Sequence, residues 1–169
     1  MHCSVRWMTL CLLAIGLAGC ASATTYVKRG APWATIQRVG VFPFATPYED
    51  RVRRQWYTQL FVTELRRTRR FEVIELPPPG PSVEPPNTGE IARKAEVDAY
   101  LLGTVEDLAE LFADVQLVDA PTGQTLWSSR YHRGVGLELS FRSRTSQQQL
   151  QRIFRILSRR LAAASRRRR

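Results

Sequence analysis

The chain reads as an α/β protein, a mixed β-sheet with packed helices in the order β-α-β-α-β-β-β-α. Three observations carry that reading. A short apolar strand, a long helix with apolar residues at helical spacing and a second short strand follow one another within residues 38–76. The run from 97 to 105 is almost continuously apolar, as a central strand covered on both faces requires. Two alternating segments, 111–119 and 124–132, flank a Pro-Thr-Gly turn and precede an amphipathic helix over 146–164. One core of this kind suits a single domain.

The first nineteen residues have the layout of a secretory signal, with Arg6 ahead of an apolar stretch from Trp7 to Ala18. Twelve helical residues rise roughly 18 Å, well short of the ~30 Å hydrocarbon core of a bilayer. Leu17-Ala18-Gly19-Cys20 closes the run and matches the lipobox of bacterial lipoproteins, in which the cysteine sulfur takes a diacylglyceryl group before the signal is cut. Cys20 is therefore the expected lipidation site and the first residue of the mature protein. Cys3 and Cys11 leave with the signal, so no disulfide and no thiolate metal cluster can be built. Ala21 after Cys20, in place of Asp, favours sorting to the outer membrane, with the protein lipid-anchored on the periplasmic face.

Losing Arg6 leaves 24 Lys+Arg against 15 Asp+Glu, a formal charge of +9. In the cytoplasm such a balance points to nucleic acid. Export removes that partner and substitutes anionic lipid head groups, cell-wall polymer or an acidic protein face.

Residues 20–37 are rich in Ala, Ser, Thr, Lys, Gly and Pro and read as a lipidated tether. Seventeen residues beyond the cysteine span at most ~58 Å extended and roughly 20–25 Å as a coil. Trp33 and Ile36 are placed to pack back on the domain. The domain itself spans 38–164. Arg38 to Phe44 forms its first strand, with Pro43 near the exit. Thr46 as cap, Pro47 in the first helical position and Glu49 as the return partner open the first long helix. Val52, Trp56, Leu60, Phe61 and Leu65 mark its inner stripe, and Arg69 and Arg70 close it where cations suit the dipole. A strand over 71–76 completes a β-α-β unit, expected to be parallel. Residues 77–86 hold six of the ten prolines and read as a surface insertion. A short helix follows, with Ile91, Ala92 and Ala95 inward. After the hairpin, Val135, Leu137, Leu139 and Phe141 continue the strand alternation. Ser146 and Gln149 cap the last helix, whose stripe is Leu150, Ile153, Phe154, Leu157 and Leu161. Residues 165–169 form a basic tail.

Candidates for catalysis are few. His132 is the one histidine after the signal and sits mid-strand, without the strand-turn-helix setting of a nucleophile elbow. Glu106, Asp107 and Glu110 could serve as acid and base or as cation ligands, but charges at a strand end commonly just terminate pairing. No glycine-rich phosphate loop stands between a strand and a helix. No catalytic, cofactor-binding or metal site is expected, and no cofactor. Arg166, Arg167, Arg168 and Arg169 are the sharpest charge feature and a candidate contact for an anionic surface.

Four segments in order, Val39-Gly40-Val41-Phe42-Pro43-Phe44, Phe71-Glu72-Val73-Ile74-Glu75, the strand from Val97 to Val105, and Val115 through the Pro121-Thr122-Gly123 turn to Ser128, resemble the curli-secretion lipoprotein (CsgG-type) superfamily. That group includes lipoprotein activators of penicillin-binding proteins, and the amino-terminal domain of TolB is similar. The resemblance implies an anticodon-binding-like sandwich used for protein docking in the Gram-negative envelope, and it brings no catalytic residues. The expected function is then a non-enzymatic envelope lipoprotein that docks on, and helps assemble or regulate, cell-wall synthesis or secretion machinery. The alternative is a subunit of an outer-membrane secretion pore of the curli type. Against that alternative, 150 mature residues leave no room for the two long hairpins such a channel requires.

Overall fold

The computed structural model describes residues 21–47, 50–78, 88–107, 110–134 and 143–166. Its elements are β1 (Ala21–Val27), β2 (Arg38–Val41), α1 (Arg51–Arg67), β3 (Glu72–Glu75), α2 (Thr88–Lys94), β4 (Ala99–Asp107), β5 (Glu110–Asp119), β6 (Thr125–Gly134) and α3 (Ser143–Arg166). The six strands form one mixed sheet in the order β1-β6-β5-β4-β2-β3. The β-α-β expectation holds: β2 runs parallel to β3, and also to β4 on its other side. β4, β5, β6 and β1 are successively antiparallel. The fold is α/β, as the sequence pattern predicts.

Side chains alternate across a strand, and here the alternation separates two cores. Odd-numbered residues of β4 and β5, among them Leu101, Val105, Val115 and Leu117, join the large core beneath α1 and α3. On the opposite face Phe42, Leu76, Tyr100 and Val118 pack against Ala92 of α2, with Ile91 and Ala95 at its margin. The first half of β4 is thus covered on both faces, which explains its apolar character from Ala99 to Leu102. In the large core Phe44, Phe61 and Phe154 pack with ring centroids 5.3–5.5 Å apart. All five apolar stripe residues expected on α3 are buried.

The expected tether is a strand, not a tether, over the seven residues after Cys20. Ala21–Val27 is an edge strand, registered on β6 from Ala21 opposite Arg133 to Val27 opposite Trp127. Thr24, Thr25, Tyr26 and Val27 are β-branched or aromatic, which suits a half-buried pleat once a partner is present. Thr25 adds a hydroxyl contact of 2.9 Å to the buried Ser129, and Arg160 of α3 donates to the same Thr25 oxygen at 3.1 Å. Beyond β1, Trp33 and Ile36 do pack back and are almost fully buried. Arg70 fastens them. Its guanidinium donates to the carbonyls of Trp33 and Ile36, and its Nε to Ser165 at the end of α3.

Helix α1 starts later than the capping pattern suggests. Asp50 is the N-cap, accepting from Val52 N and Arg53 N at 3.0 and 3.1 Å. Thr46 lies before the helix with its hydroxyl buried and unpaired among the described residues, and Glu49 falls outside them. The inner face is also rotated from expectation. Val52 is 77% exposed, Trp56 and Leu60 lie at the margin, and Tyr57, Thr58, Phe61, Val62, Glu64 and Leu65 are buried. The helix meets both the sheet and α3, so it buries a wider arc than one stripe. It ends at Arg67, with Thr68 as C-cap and Arg69 at φ 52°. Arg69 takes the left-handed position that glycine usually fills, and Arg70 turns inward rather than complementing the dipole. The expected insertion prolines from 79 to 86, the strand residues Val135 to Phe141 and the side chain of Ser146 lie outside the described residues.

Candidate functional site

Two regions combine position and chemistry: the end of the sheet where β1 begins, and a cleft between α1 and α3. Ala21 lies opposite Arg133, Arg133 opposite Leu111, and Leu111 opposite Asp107, so these four mark one end of the sheet. Cys20, outside the described residues, is joined to Ala21 by a single peptide bond. The turn after β5 marks the other end. There Asp119 Oδ2 accepts from Thr122 N at 3.1 Å, and Gly123 adopts φ 69°. Asp98 holds the same end by accepting from the backbone of Gln37 and Arg38, both at 2.8 Å.

The cleft encloses about 660 Å³ near this second end, where α1 and α3 finish. From α1 come Glu64, Arg67 and Thr68, and from α3 come Arg155, Arg159, Arg166 and the small residues Ala162 and Ala163. On α3 these positions share a face, because residues three, four and seven apart stack along a helix. Glu64 is the acidic residue of the lining, and its side chain is only 2% exposed. A carboxylate is rarely buried unless paired. Here Oε1 accepts from Arg67 Nη1 at 2.7 Å and from Gln151 Nε2 at 3.4 Å, while Oε2 lies 3.5 Å from Arg155 Nε. Arg159 and Arg166 form no ion pair among the described residues.

The other candidate residues do not converge. Glu106 lies opposite Phe112 and Phe112 opposite His132, which puts the acid and the histidine two strands apart, about 9.5 Å across the sheet. Phe112 therefore stands between the two residues on their shared face of the sheet. Asp107 and Glu110 occupy strand ends opposite Leu111 and Gly134. No group of three His, Cys, Asp or Glu among the described residues is placed to hold a metal ion. No helix among them is long and apolar enough to cross a membrane. Of the arginine tail, Arg166 belongs to α3 and lines the cleft, while Arg167, Arg168 and Arg169 lie outside the described residues. Sequence reasoning missed Glu64, Arg67, Arg155 and Arg159 as a group. The available signal was the spacing of Arg155, Arg159 and Arg166 around two alanines, opposite the leucine stripe.

No family model matches the sequence, and a comparison with curated proteins gave no match. Solved structures do share the fold. The PelC dodecamer from Paraburkholderia phytofirmans superposes with a TM-score of 0.56 at 17% identity, covering 82% of this chain and 98% of that one. Two further structures fit more loosely, each with a TM-score of 0.45 and 16% identity. The LpoB C-terminal domain from Escherichia coli covers 58% of this chain and 83% of its own, and lipoprotein GNA1162 from Neisseria meningitidis covers 71% and 96%.

Proposed function

We propose that this chain is a lipid-anchored protein of the bacterial envelope that acts by docking on other envelope proteins, without catalysis of its own. The observation that carries the reading is the junction of lipobox and sheet: the strand registered on β6 begins at the residue after Cys20. A lipid on Cys20 then seats the end of the sheet marked by Ala21, Arg133, Leu111 and Asp107 on the bilayer. The 120–123 turn and the cleft stand on the far side, roughly 20 Å away along β1. A fixed orientation of this kind suits a module that presents one set of surfaces to partners in the periplasm.

The test is palmitate labelling in a bacterial host together with crosslinking in intact cells. Label on the wild type, its loss in Cys20→Ala, and capture of defined envelope proteins support the reading. An unlabelled wild type, or capture of cytoplasmic partners alone, overturns it.

A second reading is a subunit of a ring. It is favoured by the fold shared with PelC, which that structure describes as a dodecamer. Among the described residues the sheet also ends on two edge strands, β1 and β3, through which neighbours can be reached. Native mass measurement of the detergent-solubilised protein separates the readings: a closed multiple of the chain mass supports a ring, and a strict monomer removes it.

A further inference from the structure

We infer that the cleft between α1 and α3 is a binding site for a phosphate-bearing anion. The cleft carries an excess of positive charge. Four arginines and one carboxylate line the cleft, and that carboxylate is consumed by two of the four. Arg155 and Arg159 stand four residues apart on one helix face, an arrangement of like charges that opposes helix formation. A second acidic side chain in the lining would relieve it, and among the described residues the lining has none.

Guanidinium carries five N–H donors in a planar fork that fits phosphate two bonds at a time. Arg67 meets Glu64 through Nη1, leaving Nη2 and Nε; Arg155 meets it through Nε, leaving Nη1 and Nη2. The buried Glu64 thus holds two forks in place while each keeps a pair of donors for a ligand. Such preorganisation lowers the entropy cost of binding.

The cleft also has room for a ligand. Ala162 and Ala163 occupy the positions between Arg159 and Arg166 where a longer side chain would close the cleft, and about 660 Å³ is within the usual range of ligand sites. Pairing of two terminal carbonyls of α1 lessens the repulsion an anion meets there. At the end of α1 the carbonyl of Leu65 already accepts from Thr68 N and Thr68 Oγ1, and that of Arg66 from Arg69 N.

The site takes phosphate from a soluble or polymer-borne group. Because the cleft lies at the opposite end of the sheet from Ala21, head groups of the anchoring bilayer do not reach it, a corollary that rests on acylation of Cys20.

Inorganic pyrophosphate is the probe, titrated calorimetrically into the full chain purified in detergent. Saturable binding is expected, weakened roughly tenfold or more by Arg159→Gln with Arg166→Gln, a pair that leaves the Glu64 contacts intact. Arg29→Gln with Arg51→Gln, two exposed arginines outside the cleft, serves as the charge-matched control and should bind as wild type. Circular dichroism melts confirm that both variants fold. No saturable binding by the wild type, or equal loss in both double variants, overturns the site. A further arm reconstitutes the lipidated chain in phosphatidylcholine or phosphatidylglycerol vesicles. Equal pyrophosphate affinity in the two supports a source other than the bilayer. Weaker affinity on phosphatidylglycerol makes the head group the ligand and overturns the orientation, and a chain that does not partition into vesicles reports against acylation, not against the cleft.

Discussion

Gly103 offers the sharpest test of how the sheet carries its helices. It sits in the middle of β4 opposite Val115, and a Cβ built there meets Phe44 Cε1 at 2.3 Å and two further ring atoms at 2.6 Å. The ring has nowhere to go, since Phe44 is fully buried and packs on both Phe61 and Phe154. Overpacking of a tight core costs about 1–3 kcal/mol. Replacing glycine within a strand returns about 0.5–1 kcal/mol through the smaller entropy of the unfolded chain. Gly103→Ala should therefore destabilise by about 1–2 kcal/mol, a fall in Tm of roughly 2–8 °C for a domain of this size. Thermal and urea melts followed by circular dichroism measure it. Phe44→Leu removes the obstructing ring edge, so Gly103→Ala in that background should cost less, with a coupling of at least ~0.5 kcal/mol. A Gly103→Ala protein that melts at or above wild type, or strict additivity in the cycle, would refute the packing described for β4, Phe44 and α3.

Three other outcomes follow from named contacts. Asp50→Ala should lower stability by about 0.5–2 kcal/mol in urea unfolding, while Asp50→Ser retains most of it, because a short oxygen acceptor still meets Val52 N and Arg53 N. Glu64→Ala should cost about 1–2 kcal/mol, less than the ~3–5 of a fully buried pair, because Arg67 and Arg155 are 59% and 44% exposed and regain water; a loss as large as that of a buried pair would contradict the half-open cleft. The Glu90 carboxyl titrates below the ordinary Glu range because Lys94 donates to it and attracts its charge. A lowered folded value means that the contribution to α2 is complete above the unfolded value and is lost as pH falls through the folded one. Carboxyl NMR titration should show the Glu90 midpoint move up in Lys94→Gln, and an unmoved midpoint would remove Lys94 as the cause.

Much of the fold was legible because burial imprints itself as periodicity. The stripe of α3 from Leu150 to Leu161 faces one uniform surface, so spacing alone identified it. β4 was legible for the opposite reason, its first half being apolar because both faces are covered there. α1 was read less well. Its burial is set by two neighbours at once, so Tyr57, Thr58 and Glu64 are inside while the apolar Val52 is outside. Thr58 is buried as a hydrogen-bonding group, donating to Arg54 O and accepting from Phe44 N, a role that hydropathy does not register. The cap was misplaced because Thr46 and Glu49 satisfy the capping pattern in sequence, while Asp50 satisfies it in space.

The candidate site was the least legible part, and β1 shows why. Ala21-Ser22-Ala23 has the composition of a linker, and edge strands acquire their conformation from the partner strand more than from their own residues. With β6 beside it the segment is sheet, and the consequence reaches function. A coil of seventeen residues would let the domain sample every orientation over roughly 20–25 Å. With the acylation proposed for Cys20, a strand that starts at Ala21 would leave almost no free linker at the bilayer. Lengthening that junction with a few Gly-Ser residues between Cys20 and Ala21 therefore becomes informative. If docking depends on the fixed orientation, the insertion should reduce crosslinking to envelope partners while leaving the melting temperature unchanged. If the anchor only concentrates the protein at the membrane, crosslinking should survive intact, and the strand would matter for stability alone.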